Sequence, residues 1–403
     1  MNMNDPGKAN EKVLDMQKGV VRPSYLFITP WELRYAGGVT IVVKNLAKAM
    51  RENGALEPLV AVNSWEHTSP AQPDDDTLRF RFNLLGDMSA LGLLKGMITA
   101  PILLWRTLRL LRKYNVQAVN FHFPGIAPLG VAVLKRLGLF RGKLVLSYHG
   151  TDVAPPAGRM ERLIRDFVIR SASHVVACSH GLAERMSSQF DIPVSNVDVI
   201  LNGVDESVFN GVGRPGTSLA RPLPSVFIVN IGAFIPRKNH ALLLQAFACL
   251  KDRYPALHLC IAGADGDERQ SVEATVRELE LSGRVHLFVD LDEFQVALLL
   301  SKATLCVQPS LSESFPLAVL EASASGIPIV ISDIPGHREL ARNGQSGGLF
   351  PLGNPQACAD AIAAMLDDPH TAARMAAEQK SRVRQELTWV STMRQYEKLA
   401  SAI

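Results

Sequence analysis

Two glutamates eight positions apart, Glu313 and Glu321, sit in the run LSESFPLAVLEASASGIPIVIS at 311–332. Carboxylates at a fixed separation can act as general acid and base on one bond, decorate an ordinary helix, or hold different parts of one extended ligand. Eight helical positions rise roughly 12 Å at ~1.5 Å each. A pair cleaving a glycosidic bond stands ~5 Å apart when retaining and up to ~9.5 Å when inverting, so the spacing weighs against that role. The run ATLCVQPS (303–310) reads as a strand, LSESF as a loop, and PLAVLEASAS as a helix with Pro316 in its first turn, where a missing N–H costs nothing. The loop thus falls at the carboxyl end of a strand and at the positive N-terminus of a helix, a natural anion site. Spacing alone leaves a decorated helix and a shared ligand equally open.

Other residues bear on the same choice. Arg237 and Lys238 open a helix in IGAFIPRKNHALLLQAF (231–247), and cations there are disfavoured unless an anion is near. Gly37 and Gly38 precede a helix in YAGGVTIVVKNLAKAM, a turn that lets backbone approach a ligand but is common by itself. His149 in YHGTD ends a strand, as does His122 in NFHFPG. Asp265 and Asp267 form a D-x-D pattern that could hold a metal on a diphosphate, but DLD at 290–292 repeats it. An acidic turn before a helix also suits N-capping. The five cysteines show no C-x-x-C pair and no metal-ligand spacing; an odd, scattered set fits a reducing compartment.

The elements that must position these residues alternate along the chain. SYLFITP, LEPLVAVN, VQAVNFHF, KLVLSYHG and SHVVACS read as strands separated by helical patterns. The pattern lapses in NGVGRPGTSLARPLP and restarts with SVFIVNIGAF, LHLCIAGA, RVHLFVD, ATLCVQPS and IPIVISD. Alternation of this kind predicts parallel sheets covered on both faces. The expected organisation is a loose tail over 1–22, an α/β domain over 23–210, a linker over 211–224, a second α/β domain over 225–386, and a terminal helix over 387–403 crossing back to the first. Ligands of such sheets bind beyond the carboxyl ends of the strands, which here means a cleft between the domains.

A formal charge of +3 is too small to argue for nucleic acid, and none is expected as a partner. No run reaches the roughly 18 apolar residues of a membrane span, and the first 22 residues lack the apolar core of a signal peptide. A cytoplasmic protein is expected. Residues 88–114 combine apolar positions with Lys95, Arg106, Arg109, Arg112, Lys113 and no acid. This segment fits a basic amphipathic helix on an anionic bilayer, and equally a helix covering the first sheet; Pro101 should kink or divide it.

The segment SESFPLAVLEASASGIPIVISDIPGHREL resembles the E-x7-E signature of the retaining family 4, or group 1, glycosyltransferases of the two-Rossmann GT-B fold. The resemblance implies a nucleotide-sugar donor, an acceptor hydroxyl on a glycan or lipid-linked molecule, and no metal or other cofactor. It places Glu313 on the donor sugar, Glu321 on the ribose diol and Lys238, with Arg237, on the departing diphosphate. Gly37, Gly38 and the Ser314, Phe315, Pro316, Leu317 helix start would approach the phosphates, and His149 the reacting face of the sugar. Ala233 replaces an arginine frequent in the family, Asp290 a glycine, and Glu339 matches a recurring position. Cell-envelope or exopolysaccharide synthesis is the implied setting. A same-fold epimerase or phosphorylase, or an inactive nucleotide-sugar-binding scaffold, are the alternatives; the scaffold should lack Glu313, Lys238 or His149, and all three are present.

Overall fold

The computed structural model describes residues 22–33, 37–63, 77–85 and 90–401; nearly all of the expected N-terminal tail lies outside them. Short runs rich in Val, Ile, Leu and Phe form the first sheet: β1 (Ser24–Thr29), β2 (Glu57–Asn63), β3 (Thr77–Phe80), β4 (Val116–His122), β5 (Lys143–Tyr148), β6 (His174–Ala177) and β7 (Asp198–Val199). Their order is β3-β2-β1-β4-β5-β6-β7, parallel throughout. All six residues of β1 are buried, as expected of a central strand covered on both faces.

The second sheet holds β8 (Phe227–Ile231), β9 (His258–Gly263), β10 (Val285–Val289), β11 (Leu305–Gln308), β12 (Ile329–Ser332) and β13 (Gly348–Phe350). It is likewise parallel, in the order β10-β9-β8-β11-β12-β13. These are two Rossmann-like units, and each reverses its winding once, between β1 and β4 and between β8 and β11. Crevices at such reversals are where open α/β sheets take ligands.

The chain returns to the first sheet at its end. Helix Trp389–Ser401 buries Trp389, Met393 and Tyr396 against Val43, Leu46 and Met50 of helix Gly38–Asn53. The Glu397 carboxylate accepts hydrogen bonds from the Ala55 and Leu56 amides at 2.8 and 3.0 Å. Where the returning chain crosses residue 203, a Cβ would lie 2.4 Å from the Trp389 nitrogen, so only glycine fits. Pro101 does not divide its helix, which runs unbroken from Ala90 to Lys113. Cys178, Cys260, Cys306 and Cys358 are buried and Cys249 is exposed, all as free thiols.

Candidate active site

The loops after β8 and β11, flanking the reversal of the second sheet, carry the charged residues. After β8 the chain makes a short 3-10 turn, Pro236–Lys238, before helix His240–Leu250. This turn is tied to the second loop: the Leu311 amide donates to the Arg237 carbonyl at 2.9 Å, and the Asn239 side chain donates to the Pro309 carbonyl at 3.2 Å. Lys238 crosses Gly232, where a Cβ would stand 3.1 Å from its Cδ, and places its Nζ 2.6 Å from Glu313 Oε1. Arg237 reaches Glu313 Oε2 at 3.4 Å. Burial by itself would raise the Glu313 carboxyl, but Lys238 and Arg237 hold it below the usual range. Two cations thus share one carboxylate, which leaves net positive charge for an anion.

Helix Leu317–Ser325 begins one residue later than expected, with Pro316 at its N-cap. No side chain caps it and no acid occupies its first turn, so its leading N–H groups are available to an anion. Phe315 is buried in the core, so it can serve a ligand only through its backbone. Four positions into the helix, Glu321 is partly exposed and makes no hydrogen bond or ion pair among the described residues. Burial, aided by Glu293, pushes its pKa up to about 7 against the pull of Lys238.

The first domain faces these groups with the loops after β1, β4 and β5. A Cβ on Gly38 would lie 4.0 Å from Leu317 Cδ1, so the glycine turn confronts the start of helix Leu317–Ser325. No atom comes within 4 Å of a Cβ built on Gly37. After β5, His149 leads into Gly150 at φ +136, and a Cβ there would stand 2.3 Å from Ser314 Oγ. Both the backbone conformation and the contact demand glycine. His149 Nε2 lies 2.9 Å from His122 Nδ1, and His122 Nε2 lies 3.1 Å from the Asn120 side-chain amide. Burial takes His149 down to about 4 and His122 well below the usual value. At neutral pH both rings are uncharged, so their shared hydrogen bond couples their tautomers.

Four supporting residues carry no pattern that assigns them this role from sequence. Asp152 accepts from the amides of His149 and Gly150 at 3.0 and 2.6 Å and so fixes the turn. Burial outweighs those bonds and lifts its pKa to about 6. Arg185 donates to the Gly150 carbonyl. His180 begins a first-domain helix, and its ring Nδ1 lies 2.7 Å from Glu339 across the cleft, which gives that glutamate a role as an interdomain clasp. Asn202 similarly donates to the Phe315 carbonyl at 3.4 Å.

The acidic turn at 264–268 does not cap its helix. Glu268 stands at the N-cap of Arg269–Glu278 without a side-chain bond, while Asp265 pairs with Arg269 at 3.0 Å. No group of three or more His, Cys, Asp or Glu able to hold a metal ion occurs among the described residues. Asp290 sits at φ 54, the left-handed conformation that favours glycine, and its carboxylate accepts from the Asp265 amide at 3.2 Å.

Two facing Rossmann-like domains, each a parallel sheet wound with helices, define the GT-B class of architecture. The chain belongs to the group 1 glycosyltransferases: residues 218–382 match the family model described as glycosyl transferases group 1, and residues 36–208 match glycosyltransferase family 4. It is 26% identical over 318 residues to a glycogen synthase of Mycobacterium tuberculosis, covering 76% of this chain and 74% of the relative. A D-inositol 3-phosphate glycosyltransferase of Nocardioides is 26% identical over 394 residues, 89% of this chain and 84% of the relative. Anabaena HepE, crystallised with UDP and glucose, superposes with a TM-score of 0.71 at 18% identity, over 94% of this chain and all (100%) of that one.

Proposed function

We propose that this glycosyltransferase moves a sugar from a nucleoside-diphosphate-sugar to an acceptor hydroxyl with retention of anomeric configuration. The observation that carries this reading is the meeting of Lys238 and Arg237 on Glu313 beside the uncapped helix start. That arrangement suits a leaving diphosphate and an oriented sugar. The structural neighbour HepE, solved with UDP-glucose as well as UDP, supports a nucleotide-sugar donor.

In this reading the acceptor oxygen attacks the anomeric carbon from the side of the leaving group. The bond to the diphosphate oxygen breaks as the bond to the acceptor forms, and the acceptor proton passes to the diphosphate. Lys238, Arg237 and the backbone N–H groups of Ser314, Phe315, Leu317 and Ala318 stabilise the growing negative charge. Glu313 orients the sugar, Glu321 accepts from the ribose diol, and the neutral His149 offers a hydrogen bond to the reacting face. With these cations in place the diphosphate needs no divalent metal. The setting is cell-envelope or exopolysaccharide synthesis at the cytoplasmic side, on a glycan or lipid-linked acceptor.

A pocket of about 230 Å³ at the carboxyl ends of β1, β2 and β4, lined by Asn63, Asn83, His122 and Phe123, suits an acceptor. The test is a thermal-shift screen of nucleoside diphosphates, followed by donor hydrolysis with the base that binds. Slow release of free sugar is expected. A donor that binds but never turns over with any acceptor would favour the inactive scaffold.

A further inference from the structure

Apolar side chains should leave water, and on this protein many of the exposed ones gather on one face. Helix Ala90–Lys113 buries Leu103, Thr107 and Leu111 against the first domain, yet Leu94, Met97, Ile98, Ile102 and Trp105 face outward. Met97 is 72% exposed, Ile98 69% and Trp105 58%. A helix apolar on both sides is one that lacks a partner on the second side. Helix Leu129–Arg136 packs beside it and continues the exposure through Leu137 and Leu139. Helix Arg159–Ser171 packs beside that one and adds Met160, Leu163 and Phe167. Of the 16 large hydrophobic residues exposed among the described residues, 10 lie on this layer, so the patch is not scattered background.

The charge of the same stretch says what could cover it. Residues 90–171 hold 13 lysines and arginines against 3 aspartates and glutamates, although the whole chain is only +3. Arg106, Arg109, Arg136, Arg159 and Arg162 are all exposed there. Arg109 lies over Trp105, its guanidinium carbon 5.5 Å from the ring centroid. Apolar side chains rimmed by cations, with an exposed tryptophan, match the boundary between acyl chains and anionic headgroups. A protein partner would need an apolar surface equally broad and strongly acidic. No helix among the described residues is long and apolar enough to cross a membrane, so such contact lies along the surface.

We propose that this three-helix layer is a docking surface for an anionic lipid bilayer, and that docking holds the acceptor pocket at the membrane. The apolar end of helix Ala90–Lys113 begins just after the segment that lines that pocket. Asn83 lines it, while Leu85 packs on Gly96, where a Cβ would meet Leu85 Cδ2 at 2.6 Å. The exposed apolar face therefore belongs to a helix that packs on the same chain segment that lines the pocket. Only this last step rests on the proposed function; lipid binding stands without it.

The test uses the full chain and vesicles of phosphatidylcholine with or without phosphatidylglycerol, at low and high salt. Co-sedimentation should require phosphatidylglycerol and weaken with salt. Ile98→Glu with Trp105→Glu should lower vesicle partitioning by about tenfold or more, and Arg106→Gln and Arg109→Gln by about fivefold each. Nucleoside-diphosphate thermal shifts should be unchanged in all of these variants, which shows them folded and separates failure of docking from failure of the transferase reading. No binding to phosphatidylglycerol vesicles at low salt would overturn the proposal. So would equal binding to phosphatidylcholine alone, or a salt-stable dimer abolished by Ile98→Glu in the absence of lipid.

Discussion

The raised pKa of Glu321 makes a quantitative prediction about nucleotide binding. A carboxylate accepts from both hydroxyls of a ribose diol only when ionised. Free Glu321 titrates at about 7 because burial and Glu293 oppose its charge. If only the ionised form binds well, about a tenth of the protein is competent at about pH 6 and about nine-tenths at about pH 8, so affinity should improve about tenfold across that range. A nucleoside diphosphate also titrates, its terminal phosphate near about pH 6, so the same titration is run on Glu321→Gln, which keeps every contribution except that of Glu321. Isothermal titration with UDP, or whichever diphosphate binds, should show a steeper pH dependence for wild type than for the variant. The variant should bind more weakly at pH 8, yet its ligand-free form should melt higher there. The sign follows from the shift. A carboxyl raised from 4.5 to about 7 costs the fold nothing below the unfolded value, destabilises it progressively between the two, and by about 3 kcal/mol above the upper one. Parallel pH profiles for wild type and variant, or a variant that melts lower at pH 8, would refute the reasoning.

Glu313→Gln should lower turnover by about tenfold or more while leaving nucleoside-diphosphate affinity within about twofold; equal losses in both would contradict its assignment to the sugar. Turnover should survive excess EDTA, and Asp267→Asn should stay within a few-fold of wild type, since Asp267 has no place in the cation cluster; activity lost to chelation and restored by manganese or magnesium would show that a metal shares the diphosphate. Gly150→Ala introduces a Cβ 2.3 Å from Ser314 Oγ at φ +136 and should cost about 2 kcal/mol or more of stability together with most activity, measured by urea denaturation and donor hydrolysis.

The alternation of apolar runs with helical patterns was enough to establish two parallel sheets, because strands buried on both faces must be apolar nearly throughout. The same pattern located the loops after β8 and β11 and thus Lys238 and Glu313. It did not reveal β7 or β13, which are 2 and 3 residues long, or β3, whose four half-buried residues TLRF lack the apolar run of the equally short β6. Local sequence also left undecided whether two glutamates decorate a helix or face a ligand. Which side chains meet across the cleft depends on docking between residues far apart in the chain. Glu313 is 75 positions from Lys238, Gly150 stands against Ser314, and His180 clasps Glu339 at a separation of 159. The sequence marked residues 88–114 as helical, to be kinked or divided at Pro101, but not which side the first domain covers. Only packing decided that Leu103, Thr107 and Leu111 turn inward and Ile98, Ile102 and Trp105 outward, because burial belongs to the neighbours a residue acquires on folding.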